Sequence, residues 1–197
     1  GNHASAFDAL DWHRLSEVLL VWGAGWWALA WISDVLPFAP VNLQATLLLT
    51  VAALSVALWA VLALRLKWPS LGLLCTLLMP ASGVALLGAW HSRYHPAADV
   101  GWLAWAAVFV VHFISLRRLA PLLPARALST AHVLGCWLLI GVLALELRYG
   151  LLLLSEQYNA WRWLGWAILP SVYLVLMAAP RAWPWPVSAW PREYRLY

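Results

Sequence analysis

The chain has 197 residues, of which 64% are hydrophobic and only 10% are charged. A soluble domain carries about 25% charged residues, so this composition excludes an ordinary water-soluble domain. Membrane proteins carry few charges because a charge at the bilayer centre costs about 2.5–3.5 kcal/mol on the mildest scale. The net charge of +4 comes from Lys and Arg residues scattered between apolar runs. This excludes a nucleic-acid-binding surface, which needs a dense basic patch.

Six apolar segments are long enough to cross a membrane as helices, for which about 20 residues are needed. In chain order they cover residues 15–36, 43–64, 70–90, 100–116, 129–147 and 161–179. The predicted fold is therefore an all-α, polytopic transmembrane bundle, with residues 1–197 forming one transmembrane region. Pro80 and Pro170 lie inside the third and sixth segments. Each is expected to kink its helix, because proline removes a backbone hydrogen bond, and the alternative is the broken helix of a transporter.

The Lys and Arg residues predict the orientation, because they collect on the cytoplasmic side of a membrane. With six spans, nine of them fall on the side of the N-terminus: Arg14, Arg65, Lys67, Arg117, Arg118, Arg126, Arg181, Arg192 and Arg195. Three fall on the other side: Arg93, Arg148 and Arg162. We therefore predict that both ends of the segment are cytoplasmic.

The chain begins Gly1-Asn2-His3 without Met and ends without a terminating feature, so we expect it to be part of a longer protein. Cys75 and Cys136 lie in apolar runs with no second Cys or His at ligand spacing. They are expected to be buried thiols without a disulfide or a metal.

Many of the 17 tryptophans lie near span ends. This position is typical of the aromatic belt of a membrane protein. The first span differs, because Trp22 and Trp26, and Trp27 and Trp31, form deeper pairs at i,i+4 spacing. Two interpretations remain open for these pairs. They pack helices together, or they form a stacking platform for a sugar or lipid headgroup together with Asp34 at the end of the span.

Glu146 is placed at the end of the fifth span and Arg162 at the start of the sixth, at similar depth. They are expected to form an ion pair, and the alternative is that Glu146 acts as a general acid or base. His91 and His95 have the i,i+4 spacing of metal ligands on a helix. Pro96 disfavours a helix there and no third ligand is apparent, so we expect loop histidines and no metal.

His112 and His132 lie at similar depth on two spans that form a hairpin, near the opposite side of the membrane. Glu17, at the start of the first span, lies at comparable depth. Buried imidazoles bonded to backbone or serine are one interpretation, and a proton relay is the other.

Two stretches resemble a known family. They are His132-Val133-Leu134-Gly135-Cys136-Trp137-Leu138-Leu139 followed by Leu145-Glu146-Leu147, and Trp161-Arg162-Trp163-Leu164-Gly165-Trp166-Ala167 leading to Leu169-Pro170. With Leu20-Val21-Trp22-Gly23 and Trp26-Trp27, they are similar to a family of very large bacterial predicted membrane proteins, domain of unknown function 2339. The resemblance implies a long array of spans in a bacterial inner membrane, of which this chain is a portion. It supplies no catalytic residues, although His132, Glu146, Trp161 and Arg162 are motif members.

Three hypotheses for the function follow. The first is an envelope component with a binding or scaffolding role that handles lipid or glycan material. The second is a membrane-embedded acyl or glycosyl transferase using Glu146 and the loop from His91 to Asp99. The third is a proton-coupled transporter or channel using His112, His132 and Glu17. The expected partners are the lipid bilayer, further transmembrane helices of the same chain or complex, and a lipid or glycan ligand, with no cofactor and no nucleic acid.

Overall fold

The computed structural model describes residues 2–91, 94–157, 167, 168, 170–172, 174, 175, 184, 185 and 188–193. All the regular structure in that part of the chain is helical. The α-helices are α1 (Asn2–Ala30), α2 (Gln44–Leu66), α3 (Pro69–Cys75), α4 (Leu78–Gly88), α5 (Gly101–Leu119) and α6 (Ala125–Gln157). A π-helical turn (Trp31–Val35) follows α1, and 3-10 turns precede α2 and α5 at Val41–Leu43 and Ala98–Val100. The predicted all-α fold is confirmed.

Five stretches of the described residues are long and apolar enough to cross a membrane. They are Arg14–Phe38, Val41–Leu66, Pro69–Gly88, Ala98–Leu119 and Ala125–Glu156. Each contains most or all of one of the first five predicted spans. The sixth predicted span, 161–179, lies largely outside the described residues, and 167, 168, 170–172, 174 and 175 within it are helical.

The third span is broken where Pro80 requires it. The chain leaves the helix at Thr76 and Leu77, between α3 and α4. Proline has no N–H to donate to the carbonyl four residues earlier, and its ring crowds that carbonyl. For Pro80 this carbonyl belongs to Thr76, so the break falls one turn before the proline and the predicted kink is present.

The α2–α5 pair forms the centre of the core. The buried residues of α2 recur every three or four positions and are mostly small: Leu49, Ala53, Val56, Ala60 and Ala63. Small side chains let two helix backbones approach closely, which is how helices associate in a bilayer. The facing stripe of α5 carries larger residues, namely Ala104, Trp105, Val108, His112, Leu116 and Leu119. The two stripes therefore pack with complementary shapes.

Helix α1 lies at the edge of this bundle. None of the residues of Arg14–Phe38 is buried, whereas 28–39% of the apolar window is buried in the other four candidate spans. Trp27 Nε1 donates to Ser55 Oγ on α2 at 3.0 Å, and Ser70 Oγ on α3 donates to Glu17 Oε1 at 3.2 Å. These contacts place α1 beside the bundle and leave most of its apolar surface uncovered by the described residues.

Candidate functional site

The connection between α4 and α5 is attached to α6 through a carboxylate. His95 Nδ1 lies 3.3 Å from both Oε1 and Oε2 of Glu146, and the backbone N–H of Ala97 donates to Oε1. Glu146 lies inside α6, which runs on to Gln157, and not at the helix end assumed from the sequence. Its predicted partner Arg162 lies outside the described residues. We call His95, Ala97, Glu146 and Tyr149 the loop cluster.

Tyr149 completes the loop cluster one turn after Glu146. Its ring stacks on the imidazole of His95 with centroids 3.8 Å apart and planes 11° apart. Residues three apart on a helix share a face, so α6 presents both an anion and a ring to His95. The stack and the carboxylate together fix the orientation of the imidazole.

Tyr94, next to this cluster, has a perturbed hydroxyl. Burial raises the pKa of Tyr94, the negative charge of Glu146 raises that pKa further, and an interaction with the Trp105 side chain partly offsets both. Burial acts in this direction because it penalises the charged phenolate. Tyr94 therefore remains a neutral hydroxyl over a wider pH range than a free tyrosine.

The same connection is attached to α2 at its other end. Asn42 Nδ2 donates to Asp99 Oδ1 at 3.2 Å, and Thr46 Oγ1 donates to the Asp99 carbonyl at 3.2 Å. Asp99 and Val100 have positive φ angles of 51° and 66°. The chain turns so tightly that a Cβ on Gly101 would lie 2.0 Å from the carbonyl oxygen of Pro96. Only glycine fits at Gly101, because any other side chain would meet backbone.

The loop cluster has the chemistry of a histidine–carboxylate dyad. Glu146 accepts at Nδ1, which leaves Nε2 of the neutral imidazole as the proton acceptor. The side chains of His95 and Glu146 are 21% and 31% exposed, so the pair can be reached from outside. An imidazole oriented in this way is able to act as a general base toward a hydroxyl group.

His91 and His95 do not converge. The His91 ring lies against Tyr94 with centroids 5.6 Å apart, while His95 faces Glu146 and Tyr149. Among the described residues no group of three His, Cys, Asp or Glu side chains is placed to hold a metal ion. The i,i+4 spacing of these histidines therefore does not act as a helical metal motif, because Pro96 and the turn that follows keep His95 out of a helix.

His112 is the centre of a second polar site, at the far end of α5. Its ring has no exposed surface, and Nε2 lies 3.1 Å from the carbonyl oxygen of Ala131 on α6. Because a carbonyl only accepts, Nε2 carries the proton and donates. Nδ1 has no hydrogen-bond partner among the described residues. The imidazole thus acts as a donor that joins two helices.

Gly135 makes room for this imidazole. A Cβ at Gly135 would lie 2.7 Å from Nε2 and 3.0 Å from Cδ2 of His112. Nothing in the sequence indicates this role of Gly135, because a glycine inside an apolar helix carries no signal of what packs against it.

His132 is enclosed by aromatic rings instead. Its imidazole stacks on Trp190 with centroids 5.0 Å apart, and Trp185 meets it edge-on at 5.9 Å. Arg117 lies over the ring of Trp185, 5.6 Å from its centroid, and Ser129 Oγ donates to Glu193 Oε1 at 3.1 Å. The segment that contains Trp185, Trp190 and Glu193 therefore covers His132, which is 1% exposed.

The two polar sites are far apart. Glu146 and His132 are 14 residues apart on α6, which corresponds to about 21 Å along the helix axis. Between them on α5 lies Val108, which has no exposed surface. His112 bonds to the carbonyl of Ala131, the residue before His132, and the ring of Phe113, the residue after His112, lies against His132. Glu17 accepts from Ser70 on α3. The sites are thus separated by packed apolar residues.

The tryptophan pairs of the first span form as predicted, but they face different surroundings. Trp22 and Trp26 meet edge-to-face with centroids 5.9 Å apart, and Trp27 and Trp31 do so at 6.0 Å. Trp27 is engaged by Ser55 on α2, while Trp22 and Trp26 are 64% and 55% exposed. Asp34 accepts from Ser33 Oγ at 3.0 Å. The pair of Trp22 and Trp26 is therefore more exposed than the pair of Trp27, which is 47% exposed, and Trp31.

The apolar helices, their length and their shared core define a multi-pass α-helical membrane protein, in contact with the lipid bilayer. A family model described as "Predicted membrane protein (DUF2339)" matches residues 10–197. The chain belongs to this family. No curated protein and no solved structure matches the chain.

Proposed function

We propose that this protein is a scaffolding and binding component of the bacterial inner membrane that handles lipid or glycan-lipid material along helix α1. One observation carries the proposal. Arg14–Phe38 contains no buried residue, while Trp22 and Trp26 project from it as an exposed pair of rings. Tryptophan rings offer a large contact area with few rotatable bonds, which suits a surface that binds rather than one that reacts.

The partners of the ionisable groups support the same function. Glu146 holds His95 and the Ala97 amide, and His112 donates to Ala131. A relay through His112 needs a partner at Nδ1 that passes the proton on, and the described residues supply none. These groups hold helices and a loop together, as ionisable groups do in a scaffold.

The proposed orientation places the start of α1, the α2–α3 connection and the end of α5 on the cytoplasmic side. The support is the distribution of Lys and Arg between the two sides. In the structure, Arg65 lies in the last turn of α2, and Arg117 and Arg118 lie in the last turn of α5. The His91 to Asp99 loop and the loop cluster then lie on the periplasmic side.

The test compares substitutions on α1 with substitutions in the two polar sites. The protein is isolated from native membranes in mild detergent, and the lipid and glycan-lipid that it retains are measured by mass spectrometry. Trp22→Ala with Trp26→Ala is expected to reduce retention, and Glu146→Gln with His132→Phe is expected to leave it unchanged. Equal retention in both variants, or loss in the second alone, contradicts the proposal.

A transferase-like enzyme is the second candidate, and the His95–Glu146 dyad favours it. In this function His95 Nε2 accepts the proton of a substrate hydroxyl, while Glu146 holds Nδ1–H and stabilises the imidazolium that forms. Exposure of both side chains agrees with access from the membrane surface. Acyl or glycosyl transfer in native membrane extracts that disappears in both His95→Gln and Glu146→Gln would favour the enzyme over the scaffold.

A further inference from the structure

Helix α1 carries a shallow groove of about 570 Å³ on its exposed side. The groove is lined by Glu17, Val18, Val21, Trp22, Gly25, Trp26 and Leu29. Trp22 and Trp26, in edge-to-face contact, form one wall, while Val21 and Glu17 form the other. Outside the neighbouring backbone of α1 itself, none of the described residues has a heavy atom within 4 Å of the position of a Cβ on Gly25, so this glycine opens the floor.

The length of the groove matches one leaflet of a bilayer. From Val18 to Leu29 the helix rises by about 17 Å, which is roughly half of the 30 Å hydrocarbon core. The lining between these residues is apolar. A single acyl chain lying along the helix has both the length and the chemistry to occupy it.

The mouth of the groove carries one charge of each sign. Arg14 is exposed at the start of the candidate span, and Glu17 lines the groove itself. Arg14, Val18, Gly25 and Leu29 follow each other at spacings of four, seven and four residues, which places them on one face of the helix. Arg14 therefore lies on the same face as the floor of the groove, at the end of the candidate span, where a long basic side chain reaches lipid phosphates in a membrane.

We propose, on the basis of the proposed function, that this groove binds a phospholipid with a primary-amine headgroup, such as phosphatidylethanolamine. Arg14 contacts the phosphate, Glu17 accepts from the ammonium group, and one acyl chain lies along Val18 to Leu29 against the two tryptophan rings. An arginine alone would favour anionic lipids. The adjacent carboxylate instead selects a headgroup that carries both charges, and a trimethylated amine cannot donate a hydrogen bond to it.

The experiment uses the delipidated full-length protein in detergent, titrated with phosphatidylethanolamine, phosphatidylglycerol or phosphatidylcholine of identical acyl chains and followed by native mass spectrometry. We expect the ethanolamine lipid to bind with the highest affinity. Arg14→Gln is expected to weaken all three lipids, by about two- to five-fold, the effect of one exposed charge contact. Glu17→Gln keeps an acceptor for Ser70 and is expected to remove the preference for the ethanolamine lipid.

A matched pair of glycine substitutions tests the acyl-chain part. Gly25→Leu fills the floor of the groove and is expected to weaken all three lipids. Gly23→Leu adds the same side chain two residues earlier, on the opposite side of the helix. There too, apart from the adjacent helix backbone, the part of the chain that the structure describes has no heavy atom within 4 Å of the Cβ. It is expected to bind lipid as the wild type does.

Equal affinities for the three lipids in the wild type overturn the headgroup assignment, and the proposed function then survives if Trp22→Ala with Trp26→Ala still reduces retained lipid. Equal behaviour of Gly25→Leu and Gly23→Leu overturns the groove. A Gly25→Leu variant that changes the oligomeric state without changing lipid binding also overturns the proposal, because the occupant is then another helix.

Discussion

The imidazole of His112 occupies the space in which a side chain on Gly135 would lie, so a position on α5 and a position on α6 depend on each other. A Cβ at Gly135 would come within 2.7 Å of His112 Nε2, and that nitrogen donates to Ala131 O at 3.1 Å. The ring therefore fills the gap that Gly135 leaves in α6, and its Nε2–H donates to the carbonyl of Ala131 beside that gap. The α5–α6 hairpin is held by shape and by one hydrogen bond at the same point.

Gly135→Ala is accordingly expected to destabilise the protein by about 1–3 kcal/mol, the usual cost of overpacking a core. The free energy of unfolding in mixed micelles measures it. Gly141→Ala, on the same helix, is the control, because among the described residues only adjacent α6 backbone comes within 4 Å of the position of its Cβ. It is expected to be neutral or to stabilise by up to about 1 kcal/mol. In the double variant Gly135→Ala with His112→Ala, the two effects are expected to be less than additive. Strict additivity would show that the two residues do not share this space.

Glu146→Ala is expected to release the α4–α5 connection, because both His95 Nδ1 and the Ala97 amide lose their acceptor. Leaving such groups unpaired costs about 1–3 kcal/mol. Glu146→Gln retains a carbonyl that accepts one of these bonds, so a smaller loss is expected. Hydrogen exchange at the Ala97 amide reads the contact directly, with faster exchange in Glu146→Ala than in Glu146→Gln. Unchanged exchange in both variants contradicts the attachment.

How much of this structure can be predicted from the sequence depends on how far apart in the chain the interacting residues lie. Apolar runs and proline are local signals, and they predict the helices that contain the five candidate spans and the break before Pro80. Side-chain pairs between distant segments are not local. His95 and Glu146 are 51 residues apart, and nothing in either segment indicates the other, so the predicted partner was Arg162. Similarly, Trp185 and Trp190 resemble belt tryptophans in sequence, yet they cover His132.

The helix that carries Glu146 shows a second limit. Span boundaries predicted from hydropathy end where charge begins, at Glu146 and Arg148. The helix itself continues to Gln157, because Glu146 is paired with His95 and with the Ala97 amide and is not left alone against lipid. A charged residue ends an apolar run in the sequence without ending a helix in the structure.

Val100→Gly is expected to stabilise the protein. Val100 has a φ of 66°, a left-handed conformation that is strained for a β-branched residue and free of strain for glycine. Relief of such strain is worth about 1 kcal/mol, and the side chain is 54% exposed, so little packing is lost. Val110→Gly is the control, because Val110 is 55% exposed inside α5. It is expected to destabilise by about 0.5 kcal/mol. Destabilisation by both variants would contradict strain at Val100.

Tyr94→Phe is expected to make the protein less sensitive to alkaline pH. The pKa of Tyr94 is raised by burial and by the charge of Glu146. Between the ordinary pKa of about 10 and this raised value, the folded protein holds a proton that the unfolded chain releases. Stability therefore falls as the pH rises through this interval. Thermal unfolding from pH 9 to 12 should show a shallower decline in Tyr94→Phe than in the wild type, and an identical decline would exclude Tyr94 as a source of it.

Single cysteines at His91 and Arg118 test the proposed orientation. Both residues are exposed, and the candidate span Ala98–Leu119 lies between them, so a reagent that cannot cross the membrane should reach them from opposite sides. In intact cells, His91→Cys is expected to react with an impermeant maleimide and Arg118→Cys only after the membrane is permeabilised. The wild type, whose thiols are Cys75 and Cys136, gives the background labelling, which is expected to be low because both cysteines lie within candidate spans. Reaction of Arg118→Cys in intact cells would reverse the orientation. Reaction of both cysteines from one side would instead show that α5 does not cross the membrane.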